Sequence, residues 1–316
     1  MTKTKPKTIR VRDLVKNFGD FTAVNQISFD VNGGEIFGFL GPNGSGKTTT
    51  IRMMLGLLQP SAGEIEVLGI PVDGQTLEIL PRIGYMSQKF SLYNDLTVLQ
   101  NLLFYGQAYG IEPANMNEKI HSAVSLAGLE GYEATPTKDL SGGWRQRLAL
   151  SAAILHHPEV IFLDEPTAGV DPISRRAFWD LLYTLVSEGI TVFITTHYMD
   201  EAEHCHNLAF IQHGEIIAQG SPSSIKEQMM PGEVLEINTT QPEQLLLALK
   251  KEKETGKFST AEAELYGSLI HIFAHESKPI LIDLKNTAKA AGIKIDSIVK
   301  VEPSLEDVFI ACMRDS

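Results

Sequence analysis

The chain has almost nothing from which to build a disulfide framework: two cysteines, Cys205 and Cys312, in 316 residues. That excludes the small stapled scaffolds of secreted proteins and makes a reducing cytoplasm the expected setting. No apolar run approaches the ~20 residues that a membrane-spanning helix needs. The opening residues MTKTKPK are basic, but no apolar stretch follows them, so they read as a solvated tail and not as a signal peptide. Any role at a membrane is therefore expected to run through a partner. Positive charge is also scarce: 27 Lys and Arg stand against 39 Asp and Glu, a net charge of −12. A chain so acidic lacks the basic face of a duplex-binding protein, so nucleic acid is not expected as a partner. What is plentiful is apolar sequence, 43% of residues, enough for one large or two modest domains.

Against that background the stretch Gly41-Pro42-Asn43-Gly44-Ser45-Gly46-Lys47-Thr48 stands out. It fits the phosphate-loop pattern G-x-x-x-x-G-K-[ST] at every fixed position. The run Glu35 to Leu40 before it reads as a buried strand, and Thr48 to Leu58, beginning Thr48-Thr49, reads as a helix with Ile51, Met54, Leu55 and Leu58 on one face. Gly44 and Gly46 let the backbone curl so that its N–H groups converge on an anion. The helix dipole adds positive potential. Lys47 is placed to reach the β- and γ-phosphates, and the Thr48 hydroxyl to ligate Mg²⁺.

Residues 8 to 40 read as short strands with turns at 17–20 and 32–34. Phe18, in the first turn, is a candidate to stack on a base. A strand at Ile83–Met86 runs into Gln88. A helical insertion of about residues 90 to 158 follows, with periodic stretches at 96–109 (Leu96, Leu99, Leu102 and Leu103 on one side), 117–129 and 143–156. The strand Val160–Leu163 ends in Asp164-Glu165, acids at the C-terminal end of a buried strand. Asp164 is assigned to Mg²⁺ and Glu165 to the general base that polarises the attacking water. After a helix at 172–188, the strand 190–195 leads to His197, placed to hydrogen-bond a γ-phosphate oxygen.

Met199 to His206 reads as a short helix. His204-Cys205-His206 is not taken as a metal set, because adjacent helical residues point about 100° apart. Residues 207 to 220 read as a hairpin turning at His213-Gly214, and Ser221-Pro222 as a boundary. Beyond it the pattern is strand 233–240, helix 242–254, strand 264–274, helix 278–291, strand 293–302, helix 304–313. This is a small α+β domain at 221–316 with no motif of its own.

At 140–147 the chain reads Leu-Ser-Gly-Gly-Trp-Arg-Gln-Arg. Ser141 can cap the following helix, and Gly142 and Gly143 let backbone N–H groups approach a second anion. Together with the loop at 41–48 and the acids at 164–165, this resembles the ATP-binding subunit of ABC transporters over residues 8 to about 220. The resemblance implies an α/β P-loop NTPase with an antiparallel β subdomain, a mixed or parallel core sheet and a helical insertion. It implies ATP and Mg²⁺ as cofactors. Gln88 falls on the Q-loop glutamine, touching Mg²⁺ and relaying contact with the membrane subunit. Asp171 falls on the D-loop aspartate, His197 on the switch histidine and Phe18 on the adenine-stacking aromatic, usually Tyr. Trp144 stands where Gln or Met is commoner.

The resemblance further implies that Ser141, Gly142 and Gly143 complete the site of a second ATPase subunit, the same chain or a close paralogue, with two ATP between them. The segments 302–309 and 196–203 look like the exporter branch that includes the daunorubicin-resistance-like ATPases. That implies separate membrane-spanning permease subunits, attachment at the cytoplasmic face of the membrane, and a substrate that never touches this chain. A soluble ABC ATPase of DNA repair or translation is less consistent, since the second cassette, coiled coil or zinc modules usual there are missing. A regulatory subunit that binds ATP without hydrolysing it is opposed by Glu165 and His197.

Overall fold

The computed structural model describes residues 6–73, 78–88, 92–229, 233–254, 262–274 and 277–314. Most of the basic opening segment thus lies outside the described residues. The chain divides into two compact units, Met1–Pro222 and Ser223–Ser316.

The first unit begins with β1 (Lys7–Phe18) and β2 (Phe21–Asn32), β3 (Ile36–Leu40), α1 (Lys47–Met54), β4 (Ala62–Val67), β5 (Ile70–Pro71) and β6 (Ile83–Met86). It continues with α2 (Val98–Ala108), α3 (Pro113–Ala127), α4 (Gly142–Ile154), β7 (Val160–Asp164), α5 (Pro172–Ser187), β8 (Thr191–Thr196), α6 (Met199–Ala202), β9 (Asn207–Gln212) and β10 (Glu215–Gly220). Two sheets result: a four-stranded one, order β2-β1-β4-β5, and a six-stranded one, order β10-β9-β3-β8-β7-β6. In the larger sheet every pairing is parallel except β10 with β9. Strands β3, β7 and β8 are buried at every residue, as expected of parallel strands covered on both faces.

The core lies between the sheets and α1. Phe29 of the antiparallel sheet stacks on Phe37 of β3 and Phe193 of β8, with ring centroids 5.5 and 5.9 Å apart. Ile51, Met53 and Met54 of α1 and Phe162 of β7 join the same cluster. The phosphate-loop segment is thereby anchored between the fully buried β3 and the buried face of α1.

Several sequence expectations need correction. Residues 8–40 begin with two 12-residue strands, not short ones, because bulges let β1 and β2 stay paired along their length. Helix α1 stops at Met54, with Gly56 in the left-handed region behind it at φ 67°. The buried face of α2 is Val98, Asn101, Leu102 and Gly106, whereas Leu99 is exposed; four leucines fit one stripe, but the packing surface is rotated around the helix from it and shares Leu102 with it. His204, Cys205 and His206 lie past the end of α6: His206 accepts from the Ile36 N–H, and His204 Nδ1 lies 2.8 Å from the Tyr183 hydroxyl.

The second unit contains α7 (Pro222–Met229), which opens at the boundary, then β11 (Glu233–Thr239), α8 (Pro242–Glu254), β12 (Glu262–Tyr266), β13 (Leu269–Ala274), α9 (Ser277–Ala290), β14 (Ile295–Val301) and α10 (Leu305–Arg314). The single strand expected at 264–274 is a hairpin, turned at Gly267 with φ 60°. The apolar alternation continues on both sides of this turn, which hid it from a pattern reading. The sheet is antiparallel throughout, order β12-β13-β11-β14, the split β-α-β arrangement. Leu245 and Leu249 of α8 and Ile280 and Leu284 of α9 cover one face over Leu235, Ile237, Ile270 and Ile272.

Candidate functional site

The site is assembled at the C-terminal ends of β3, β7 and β8. Their parallel register sets Leu40 beside Thr196 and Asp164 beside Thr195, so the segments that follow all emerge at one edge. The loop after β3 is shaped by glycine. Gly44 and Gly46 have φ of 82° and 111°, values that side chains resist. A Cβ on Gly41 would collide with the Ile211 carbonyl, and one on Gly46 would lie 2.7 Å from that of Ala23. Gly46 is also the residue before α1, and no side chain caps that helix. Ser45 Oγ is buried with no hydrogen-bond partner among the described residues.

Lys47, the first residue of α1, is 4% exposed. Its Nζ donates to the carbonyls of Gly41 at 2.8 Å and Pro42 at 3.0 Å and pairs with Glu165 Oε1 at 3.1 Å. Glu165 is a hub. Its other oxygen accepts from Gln88 Nε2 at 2.9 Å and lies 3.3 Å from His197 Nδ1. Three residues from three separate stretches of the sequence therefore meet at one carboxylate. Glu165 itself is in the left-handed region, φ 47°, a conformation that a non-glycine residue holds only when its surroundings impose it.

Asp164 is almost wholly buried. Its Oδ1 accepts from Thr48 Oγ1 at 3.2 Å and Thr195 Oγ1 at 2.7 Å. Burial pushes its carboxyl above the ordinary range; the two hydroxyls oppose that, Glu165 adds to it, and Lys47 opposes it. Thr195 was not expected in the site. It also accepts from the Glu165 N–H at 3.0 Å, so one hydroxyl ties both acids to β8. A sequence signal existed: β8 is an apolar strand that ends in two threonines.

The residues fit a nucleoside polyphosphate with a hard divalent cation. Gly41 and Gly46 let the loop pack against the Ile211 and Ala23 carbonyls, open space surrounds Gly44, the Ser45 hydroxyl is left without a partner among the described residues, and a buried lysine stands at the loop's end. Thr48 and Asp164 bring together a hydroxyl and a carboxylate, the oxygen donors that Mg²⁺ takes.

The other expected residues lie elsewhere. Ser141 caps α4 by accepting from the Trp144 N–H at 3.5 Å. A Cβ on Gly142 would meet open space, but one on Gly143 would collide with Ser174 Oγ. Ser174 in turn donates its N–H to Asp171 at 3.0 Å, which caps α5. Ser141, Gly142, Gly143 and Asp171 thus form a second group where α4 and α5 begin. Trp144 packs on Tyr132 with ring centroids 4.7 Å apart, and Arg147 stands over its ring. Phe18, at the end of β1, is half exposed, with Lys16 Nζ 5.2 Å from its centroid.

Comparison with known proteins agrees with this geometry. Residues 24–168 match the family described as ABC transporter. The chain is 46% identical over 220 residues to the "Probable multidrug ABC transporter ATP-binding protein YbhF" of Escherichia coli (strain K12), covering 70% of this chain but 38% of that protein. The chain thus spans well under half the length of that relative. It is 36% identical over 296 residues to the "Nod factor export ATP-binding protein I" of Rhizobium sp. (strain N33), covering 93% of each. Among solved structures, cbiO1 of Clostridium perfringens, part of the ABC transporter complex cbiONQ, superimposes with a TM-score of 0.66 at 30% identity, over 70% of this chain and 91% of that one.

Proposed function

Because the chain belongs to the family of ABC-transporter ATP-binding proteins, we propose that it hydrolyses ATP to drive an exporter whose membrane-spanning permease is a separate subunit. The observation that carries this reading is the convergence of Lys47, Gln88 and His197 on Glu165, beside an Asp164 held by Thr48 and Thr195. A non-hydrolysing regulatory subunit has no use for that hub.

In this reading Gly41 to Thr49 cradle the phosphates through backbone N–H groups, and Lys47 moves from Glu165 and its loop carbonyls to the β- and γ-phosphates. Thr48, Asp164 and Gln88 would hold Mg²⁺, whose charge, when bound, offsets the negative charge of the phosphates. Glu165, released by Lys47, takes a proton from the attacking water. His197 hydrogen-bonds the γ-phosphate and steadies Glu165. Phe18 stacks on the adenine. Ser141, Gly142, Gly143 and Asp171 complete the site of a second copy or a close paralogue, since they sit together at the start of α4 and α5 and not with Lys47. Residues 1–220 form the nucleotide-binding domain and 221–316 an accessory domain.

No helix among the described residues is long and apolar enough to cross a membrane. Attachment at the cytoplasmic face is therefore assigned to contact with the permease. The exporter assignment follows the names of the multidrug and Nod-factor relatives, and the exported compound is not read from this chain. The test is turnover by the purified chain with Mg²⁺ and ATP. Glu165→Gln should abolish most hydrolysis while retaining ATP. Wild-type turnover in that variant overturns the assignment of Glu165, and a wild type that neither binds nor turns over ATP overturns the proposal.

A further inference from the structure

The chemistry above leaves another buried carboxylate unused. Glu201, on α6 four residues after His197, is 1% exposed. Its Oε1 accepts from Thr167 Oγ1 at 2.5 Å and lies 3.5 Å from Arg175 Nε. Thr167 is itself 1% exposed and follows Glu165 by two residues. Arg175, in the first turn of α5, sits over the Tyr198 ring at 4.2 Å and pairs with Asp200 at 3.1 Å.

These contacts join two segments that both have to be placed for catalysis. One is the loop from Glu165 to Asp171, which begins in a left-handed residue and ends in the cap of α5. The other is the run from His197 to Glu201. The two segments meet through His197 and Glu165 and through Glu201 and Thr167, and Arg175, just past the loop on α5, reinforces the second contact through Glu201, Asp200 and Tyr198. The first contact is the one that the reaction must rearrange, so it cannot also fix the geometry. The second is buried, since Glu201 and Thr167 are each 1% exposed. Burial pushes the Glu201 carboxyl upward, while Thr167, Thr196 and Arg175 favour its charged form. A buried acid held by a hydroxyl and a guanidinium is costly to disturb, as a rigid tie should be.

We propose that Glu201 is a positioning residue that, through Thr167 and Arg175, fixes the loop carrying Glu165 against the segment carrying His197. The inference rests on the hydrolytic reading above. Its action is on placement, so removing it should lower turnover and leave ATP affinity alone. Displacing a catalytic group by the order of 1 Å costs about 100-fold in rate.

The experiment compares Glu201→Ala, Glu201→Gln, Thr167→Val and the Ala/Val double variant in the full chain, reading kcat, ATP Kd and melting temperature. We expect kcat to fall by about 10- to 100-fold in Glu201→Ala and Thr167→Val, with ATP Kd within about twofold of wild type. Glu201→Gln keeps an acceptor for Thr167 and should regain part of the rate. The double variant should be no slower than the slower single, because both changes cut one link. Should Glu201→Ala fail to fold, Thr167→Val and Glu201→Gln carry the same comparison. Wild-type kcat with a lowered melting temperature gives Glu201 a purely structural role and overturns the proposal. So does a loss of ATP affinity that matches the loss of rate, or additive losses in the double variant. A wild-type chain without ATPase activity overturns the hydrolytic reading itself, and this inference with it.

Discussion

The pairing of Lys47 with Glu165 has a measurable consequence for ATP binding. Both groups are almost fully buried, 4% and 7% exposed, and sit 3.1 Å apart. At that distance, and an effective dielectric of about 20, unit charges attract by about 5 kcal/mol. Desolvation removes part of this, and the net worth of one charge-assisted hydrogen bond is about 1.5–3 kcal/mol. Nucleotide binding must break the pair, since Lys47 cannot serve Glu165 and the phosphates together. Glu165→Gln removes the attraction beforehand, while Lys47 keeps the Gly41 and Pro42 carbonyls. The nucleotide-free variant should therefore be less stable by about 1.5–3 kcal/mol, and ATP should bind it about tenfold to 100-fold more tightly. Calorimetric titration with ATP, with magnesium chelated so that metal affinity does not enter, reads the second quantity. Urea unfolding without nucleotide reads the first. Both must move, and in opposite senses. A variant with unchanged stability and unchanged or weaker ATP affinity would refute the idea that Glu165 restrains Lys47 in the resting protein.

Other consequences can be checked separately. Phe18→Ala should weaken ATP and GTP binding alike by about 1–3 kcal/mol, the worth of a lost base stack; an unchanged dissociation constant would return the ring to its contact with Lys16. Lys47→Ala and Ser141→Arg should each be nearly inactive alone, yet activity should reappear on mixing, because a heterodimer holds one sound loop facing one sound cap. Failure of both activity and dimerisation while heterodimers demonstrably form would sink the two-chain site. His156 stacks on Tyr109 with ring centroids 4.0 Å apart, its Nε2 is 2.9 Å from the Ile83 carbonyl, and burial chiefly holds its pKa below the ordinary 6.5. The unfolded chain then takes up a proton first, so stability is intact above about pH 6.5 and falls as the pH drops below it. His157 is shifted downward too, also by burial first, and adds with the same sign. The loss in urea midpoint between pH 7.5 and 5.5 should thus be smaller in His156→Phe than in wild type; an equal loss would place the effect elsewhere.

Local chemistry made much of the site legible in the sequence. The spacing of Gly41, Gly46, Lys47 and Thr48 has a meaning before any fold is known, since glycine, lysine and a hydroxyl at those intervals suit a strand-to-helix phosphate cradle. The acids at 164–165 could be read because four apolar residues precede them, which makes a buried strand with carboxylates at its end. The length of α1 and the buried face of α2 were not legible, because tertiary packing, and not periodicity, decides which leucine is covered. The hairpin at Gly267 was hidden because alternation survives a turn of that length.

Residue type and short-range spacing are local properties, so the motifs that carry the chemistry could be read along the chain. Where those motifs meet depends on the packed fold. The parallel register of β3, β7 and β8 places Thr195 under both acids, and burial turns Lys47 and Glu165 into a restraining pair. The packing of α6 against the loop after β7 brings Glu201 to Thr167, 34 positions apart in sequence. Such contacts depend on long-range pairing and on exclusion of water, neither of which is written in any one stretch of the chain.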